Sequence, residues 1–238
     1  MFDWFFLWCQ EFFLEIHDVF IVDDRWMYLV EGLEVTLTVT FFALILGSVI
    51  GFFIAMVRTT YDKTGKLGFL NVLAKIYLTV IRGTPVTVQL MIIYFVIFAS
   101  VDVGKLFVAV VAFGLNSGAY VAEIFRSGIM SIDAGQMEAG RSLGLTYNQS
   151  MIKLILPQAI KNVLPALANE FIVLLKETSI CSFIALNDVM RGGDIIRAAT
   201  YNARLPLFAA ALIYLVLVIV LQYFVGKFER SLRKSDRS

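Results

Sequence analysis

The chain has 238 residues, 59% of them hydrophobic and only 16% charged, with a mean hydropathy of +0.81. Soluble domains run near 45–50% apolar and about 25% charged, so an ordinary soluble domain is excluded and an integral membrane protein is indicated. The formal net charge of +1 offers no basic field for nucleic acid. Cys9 and Cys181 share no metal-ligand spacing and read as small hydrophobes; a lone His17 leaves no cluster for a metal.

The opening stretch "MFDWFFLWCQEFF" carries Asp3 and no basic residue, which does not suit a cleavable signal. Its aromatics suit a segment lying at the membrane interface, although Asp18, Asp23 and Asp24 follow closely. A span needs roughly 20 mostly apolar residues. The first runs over about 28–57, and its Gly32, Thr36, Thr40, Ala43, Gly47, Gly51 and Ala55 recur every three or four positions. That thin stripe, with a GxxxG at Gly47–Gly51, lets a neighbouring helix approach closely. The second span, about 70–98, is interrupted by "RGTP" at Arg82–Pro85, a break tolerated where it is buried or lines a cavity. The third, about 105–125, carries another GxxxG at Gly114–Gly118 and places Asn116, Tyr120 and Glu123 on one face beside Ser117 and Gly118.

A polar segment follows, "SIDAGQMEAGRSLGLTYNQSMIKLILPQ" at 131–158. Asp133 caps a helix from Ala134, with Gln136 placed to reach back, and Gly144 ends it in the left-handed conformation. Thr146 with Gln149 three residues later starts a second helix, which runs to Pro157 and leads into the fourth span. On the first helix Met137, Gly140 and Gly144 share a face with Ala139 beside them, and Glu138 and Arg141 are placed to pair across its flank. A stripe so small buries little of its own area; it suits either a helix entering a partner's groove or a connector on the bilayer surface.

The fourth span, about 160–180, contains Pro165 and repeats Asn162, Asn169 and Lys176 every seven residues, with Glu170 and Glu177 alongside. Polar groups at membrane depth are costly and usually functional. Asn169, Glu170, Asn116, Ser117, Gly118, Arg82, Thr84 and Lys176 are therefore the candidate substrate contacts, Glu170 for an ammonium and Arg82 or Lys176 for a carboxylate. The competing reading is that they pair with one another and hold the helices together, and Glu123 is expected to pair with Arg126. A fifth span, about 206–226, opens at Pro206, a residue tolerated in a first helical turn. The alternate loops 58–69, 126–161 and 227–238 hold twelve Lys and Arg against five on the other side. The excess marks the cytoplasm, placing the N-terminus outside, the C-terminus inside and the 131–157 helix pair in the cytoplasm. The expected organisation is an interfacial segment at 1–27, a five-span bundle at 28–226 and a basic tail at 227–238.

"MEAGRSLG", with Ile155 and Pro157 downstream, resembles the EAA loop of the permease subunits of bacterial ATP-binding-cassette importers; Gly140 stands where that pattern has a second Ala. "IRGTPVTVQL", "LNSGAYVAEIFRSGI" and "LPALANEFIVLLKETSI" are similar to the polar amino-acid uptake branch, of histidine, glutamine and arginine type, over about residues 25–230. The resemblance implies an all-α, multi-pass bundle of the bacterial plasma (inner) membrane that translocates polar amino acids. It implies a coupling helix, with Met137, Glu138, Ala139, Gly140, Arg141 and Gly144, docked on one of two cytoplasmic ATP-binding subunits. It further implies a second copy or a paralogous permease, an extracytoplasmic amino-acid-binding protein for which 181–205 offers a docking face, and no cofactor. The chain holds no G-x-x-x-x-G-K-[ST], so ATP is expected to be hydrolysed elsewhere. Secondary transporters usually repeat two halves within one chain; a carrier or a channel subunit for small polar solutes is the alternative.

Overall fold

The computed structural model describes residues 2–235. The regular elements among the described residues are all helical: α1 (Phe2–Ile16), α2 (Met27–Thr64), α3 (Gly68–Gly83), α4 (Val86–Ile92), α5 (Lys105–Met130), α6 (Ala134–Ser142), α7 (Tyr147–Ser150), α8 (Leu156–Glu177), α9 (Val189–Thr200) and α10 (Arg204–Ser235). The sequence expectations for Asp3, Cys9, Arg233, Lys234 and Arg237 fall outside the described residues or their described side chains.

The bundle is built on the pair α2–α5. All seven small residues of the α2 stripe are buried. A β-carbon on Gly47 would lie 3.0 Å from that of Ser117, one on Gly51 would lie 2.7 Å from the Ala122 nitrogen, and one on Gly114 would lie 2.6 Å from Leu46. The two GxxxG faces thus meet each other, and a methyl group at Gly51 would press on the backbone of α5. Around this seam Val39, Ala43, Val108, Ala112, Phe113 and Leu174 form the main core, with Cys181 buried among them.

At the predicted outer end, α9 crosses the start of α2. Gly32 lies against the backbone of Asp188, and the Val189 amide donates to Thr36 Oγ1 at 3.4 Å. Asp188 is fully buried, caps α9 by accepting from the Arg191 amide at 2.9 Å, and accepts from Tyr214 Oη at 3.2 Å. Burial pushes its carboxyl up to about 6 from 3.8, against the pull of those hydrogen bonds. α1 is docked on this corner: Glu15 accepts from Asn202 Nδ2 at 2.7 Å and pairs with Arg204, while Phe12 and Ile16 pack near Val189, Ile196 and Leu205. Leu7, Phe13 and Leu14 are exposed.

Among the described residues three helices, α2, α5 and α10, are long and apolar enough to cross a membrane, and the α3–α4 pair makes up to four. That pair is bent by 108° at the "RGTP" break, so the expected interrupted span is two segments meeting at a sharp corner. α8, expected as a further span, has 22 residues but carries Lys161, Asn162, Asn169, Glu170, Lys176 and Glu177, too many polar groups to qualify on apolarity. α2, α5 and α10 run past the expected ends of their spans, to Thr64, Met130 and Ser235.

Candidate functional site

Two polar features stand out: a cleft walled by α5 and α8, and the helix pair α6–α7. At the cleft, α5 supplies Ser117, which is fully buried and donates to Glu170 Oε1 of α8 at 2.8 Å. The cleft beside them, about 600 Å³, is lined by Tyr120, Glu123, Ser127, Ser131, Asn162 and Glu170 among others. Asn162 Nδ2 donates to Ser131 Oγ at 2.9 Å, tying α8 to the end of α5. Pro165 lies inside α8, and its ring removes one hydrogen bond of the helix. Asn169 and Lys176 are exposed on α8 rather than turned onto the Glu170–Ser117 contact.

The remaining expected contacts are arranged differently. Asn116 Nδ2 donates to Gln89 Oε1 at 2.9 Å, and Gln89 Nε2 donates to Ile81 O at 2.7 Å, Thr84 O at 3.0 Å and Thr84 Oγ1 at 2.8 Å. Asn116 and Thr84 therefore fix the α3–α4 corner through Gln89, a residue sequence reasoning passed over. Its signal was present: Gln89 is the sole strongly polar side chain of "VTVQLMI". Gly118 does not face the cleft; its α-carbon is covered by Tyr77 and Ile50. Arg82 is ion-paired with Glu123 at 3.7 Å and lies 5.8 Å from the Tyr120 ring centroid. Glu123 does meet Arg126, at 3.3 Å, and also Arg58, at 3.6 Å, so it is a hub for three helices rather than half of one pair.

The helix pair forms as its caps dictate. Asp133 accepts from the Gly135 amide at 2.7 Å, and Thr146 and Gln149 make the reciprocal capping box. Between them Gly144 adopts φ +85°, which an L-residue resists. α7 continues through a π-helical turn, Met151–Ile155, into α8, and Pro157 falls in the first turn of α8, where its missing N–H costs little. The expectation that Met137 and Gly140 face a partner's groove is corrected. Gly140 is buried, and a β-carbon there would lie 2.7 Å from Ser150 Oγ and Leu154; Met137 packs toward Ile129 and Met151. The small residue serves the close approach of the two helices of the pair. The outward face is Glu138, Ala139, Arg141, Ser142 and Leu143, the last 83% exposed. No group of three or more metal-ligating side chains forms among the described residues.

Helices long and apolar enough to span a membrane, a cleft lined by polar side chains and a capped helix pair define a multi-span membrane protein. Residues 47–234 match the family described as "Binding-protein-dependent transport system inner membrane component", and the chain belongs to that family. It is 42% identical over 211 residues to the arginine transport system permease protein ArtQ of Bacillus subtilis, which covers 88% of this chain and 94% of that one. It is 36% identical over 208 residues to the glutamine transport system permease protein GlnP of Escherichia coli, covering 86% and 93%. A crystal structure of an amino acid ABC transporter with histidines matches at TM-score 0.80 and 40% identity, covering 89% of this chain and 98% of that one. The inward-facing MetNI methionine ABC transporter, at TM-score 0.74 and 21% identity over 87% of this chain and 96% of its own, shares the fold.

Proposed function

We propose that the chain forms one half of the membrane pathway of an ATP-driven importer of polar amino acids, and that Glu170, held by Ser117, meets the substrate in transit. The observation that carries this reading is a buried carboxylate, hydrogen-bonded at 2.8 Å, at the edge of a cleft of about 600 Å³ between two bundle helices. A carboxylate kept at that depth needs a polar visitor or a fixed partner, and the hydroxyl of Ser117 leaves the second oxygen for the cleft. The relatives named for arginine and glutamine, and the matching structure described with histidines, support substrates that carry both an ammonium and a carboxylate.

On this reading the N-terminus is outside and the C-terminus inside, and the bundle spans residues 28–226. Two such permeases, identical or paralogous, close the path and stand on two cytoplasmic ATP-binding subunits. The outward face of α6, from Glu138 to Leu143, is the ATPase contact, and the 181–205 segment receives the amino-acid-binding protein. ATP binding moves the α6–α7 pairs as rigid bodies and alternates access to the cleft.

The test is Glu170→Gln in the reconstituted complex. It keeps size and the bond to Ser117 but removes the charge, and loss of a charged hydrogen bond lowers uptake at low substrate about ten- to a hundredfold. Assembly and basal ATP hydrolysis stay as they were. Uptake with unchanged affinity in assembled Glu170→Gln complexes makes Glu170 a structural residue and refutes the site.

A further inference from the structure

Beside the cleft at Glu170 lies a second pocket, rich in cationic side chains. Past Tyr120 and Glu123, which line both, a cavity of about 570 Å³ is walled by Arg58, Lys75 and Arg82. Three cations there face one carboxylate that is already shared. Arg58 and Arg82 approach the same Glu123 oxygen at 3.6 and 3.7 Å, and Arg126 takes the other at 3.3 Å. Lys75 lies 6.0 Å from the Tyr61 ring centroid and forms no ion pair among the described residues. The Nε of Arg58 is buried with no hydrogen-bond partner among the described residues. A buried donor so placed is destabilising until an acceptor reaches it.

An excess of guanidinium and ammonium donors around a cavity, with one N–H unsatisfied, is the recognition chemistry of an oxyanion. The neighbouring cleft holds Glu170. Ser117, which touches Glu170, and Glu123 are six residues apart on α5, about 9 Å along its axis. The pair of pockets is therefore bipolar, and a long cationic amino acid in extended form has its two charged ends at a comparable separation.

Resting on the reading of the chain as an amino-acid permease, we propose that Arg58, Lys75 and Arg82 form a carboxylate station that holds the substrate's carboxylate while its cationic group faces Glu170. Entry of the carboxylate draws Arg82, 46% exposed at the rim, from Glu123.

The test uses the permease assembled with its ATPase subunits in nanodiscs, without binding protein, and measures equilibrium binding of radiolabelled L-arginine and of agmatine, the same molecule without its carboxylate. The unmodified complex is expected to bind arginine about tenfold or more tightly than agmatine. Arg82→Gln and Lys75→Gln should bring that ratio toward one by weakening arginine alone, whereas Glu170→Gln should weaken both ligands and keep it. Lys75→Gln leaves the three arginine contacts of Glu123 in place, so the result does not depend on the integrity of that hub. A ratio unchanged in both cleft variants, with intact complexes by size exclusion, overturns the station and leaves the amino-acid reading standing. Failure of the unmodified complex to bind either ligand overturns both. If arginine binding is unchanged and the variants instead lose a difference between phosphatidylglycerol and phosphatidylcholine discs, the oxyanion is a lipid phosphate and the station is overturned.

Discussion

Gly32→Ala probes the contact on which the outer end of the bundle depends. The new methyl carbon would stand 2.5 Å from Asp188 O, 2.6 Å from its carbonyl carbon and 2.7 Å from Val189 N. Nonbonded carbon atoms settle at about 3.5–4.0 Å, so α2 and the start of α9 must part by about 1 Å. All three neighbours are backbone, and no rotamer change relieves the clash. Overpacking of this kind costs about 1–3 kcal/mol. The Val189–Thr36 bond, already 3.4 Å, is lost in addition, for about 1 kcal/mol more. The melting temperature of the purified protein should fall by roughly 5–10 °C, taking about 2–4 °C per kcal/mol. Gly83→Ala adds the same methyl where nothing lies within 4 Å and should stay within about 0.5 kcal/mol of the parent. Equal melting temperatures for the two variants would refute this account of α9 docking.

Three further outcomes are expected. Burial holds the Asp188 carboxyl at about 6 against 3.8, so the folded chain keeps a proton that the unfolded chain has released between those values. The contribution of Asp188 to stability is then fully present below pH 3.8 and is lost as pH rises to about 6, by on the order of 3 kcal/mol. Asp188→Asn should flatten that slope in a melting series from pH 4 to pH 7.5, and a slope parallel to the parent's would be contrary. Gly144→Asp opposes φ +85° by about 1 kcal/mol or more and places a charge beside the exposed face of α6. The subunit should insert normally yet lose ATP-driven transport, and unimpaired transport with the ATPase bound would make α6 a mere connector. Cysteines introduced at Lys63 and Arg141 should react with impermeant maleimide from the cytoplasmic side alone; labelling of position 141 from outside would reverse the proposed topology.

Much of the fold was legible because it rests on steric and local signals. The α2 stripe and its GxxxG partner on α5 are written as small residues at helical spacing, and the structure brings those faces together. The caps at Asp133 and Thr146 depend on residues three positions apart or fewer, within reach of local reading. What sequence spacing does not carry is which neighbour a face meets. Gly140 shows this: its need for close approach was visible, but the helix that approaches is the chain's own α7 segment. The same holds for Gly118, small because Tyr77 and Ile50 cover it. "RGTP" announced a break but not its 108° angle, which is set by Gln89 reaching back to Thr84 and across to Asn116. Asp188 was missed because a lone acid in a polar loop normally reads as solvated, and its burial depends on α2 and α10 converging from distant parts of the chain.

On the proposed function, the run from Thr146 through the π turn into α8 joins the ATPase contact to the substrate site. Glu170 stands 24 residues beyond Thr146, roughly 36 Å along a helical axis. Over such a length a straight helix tilted by about 5° at one end moves its other end by about 3 Å, comparable to the 2.8 Å Ser117–Glu170 bond. Two compliant points, the π turn at Met151–Ile155 and the ring of Pro165, lie between Thr146 and Glu170. Stiffening either joint should therefore alter the timing with which the Ser117–Glu170 contact opens while leaving the affinity of that site unchanged.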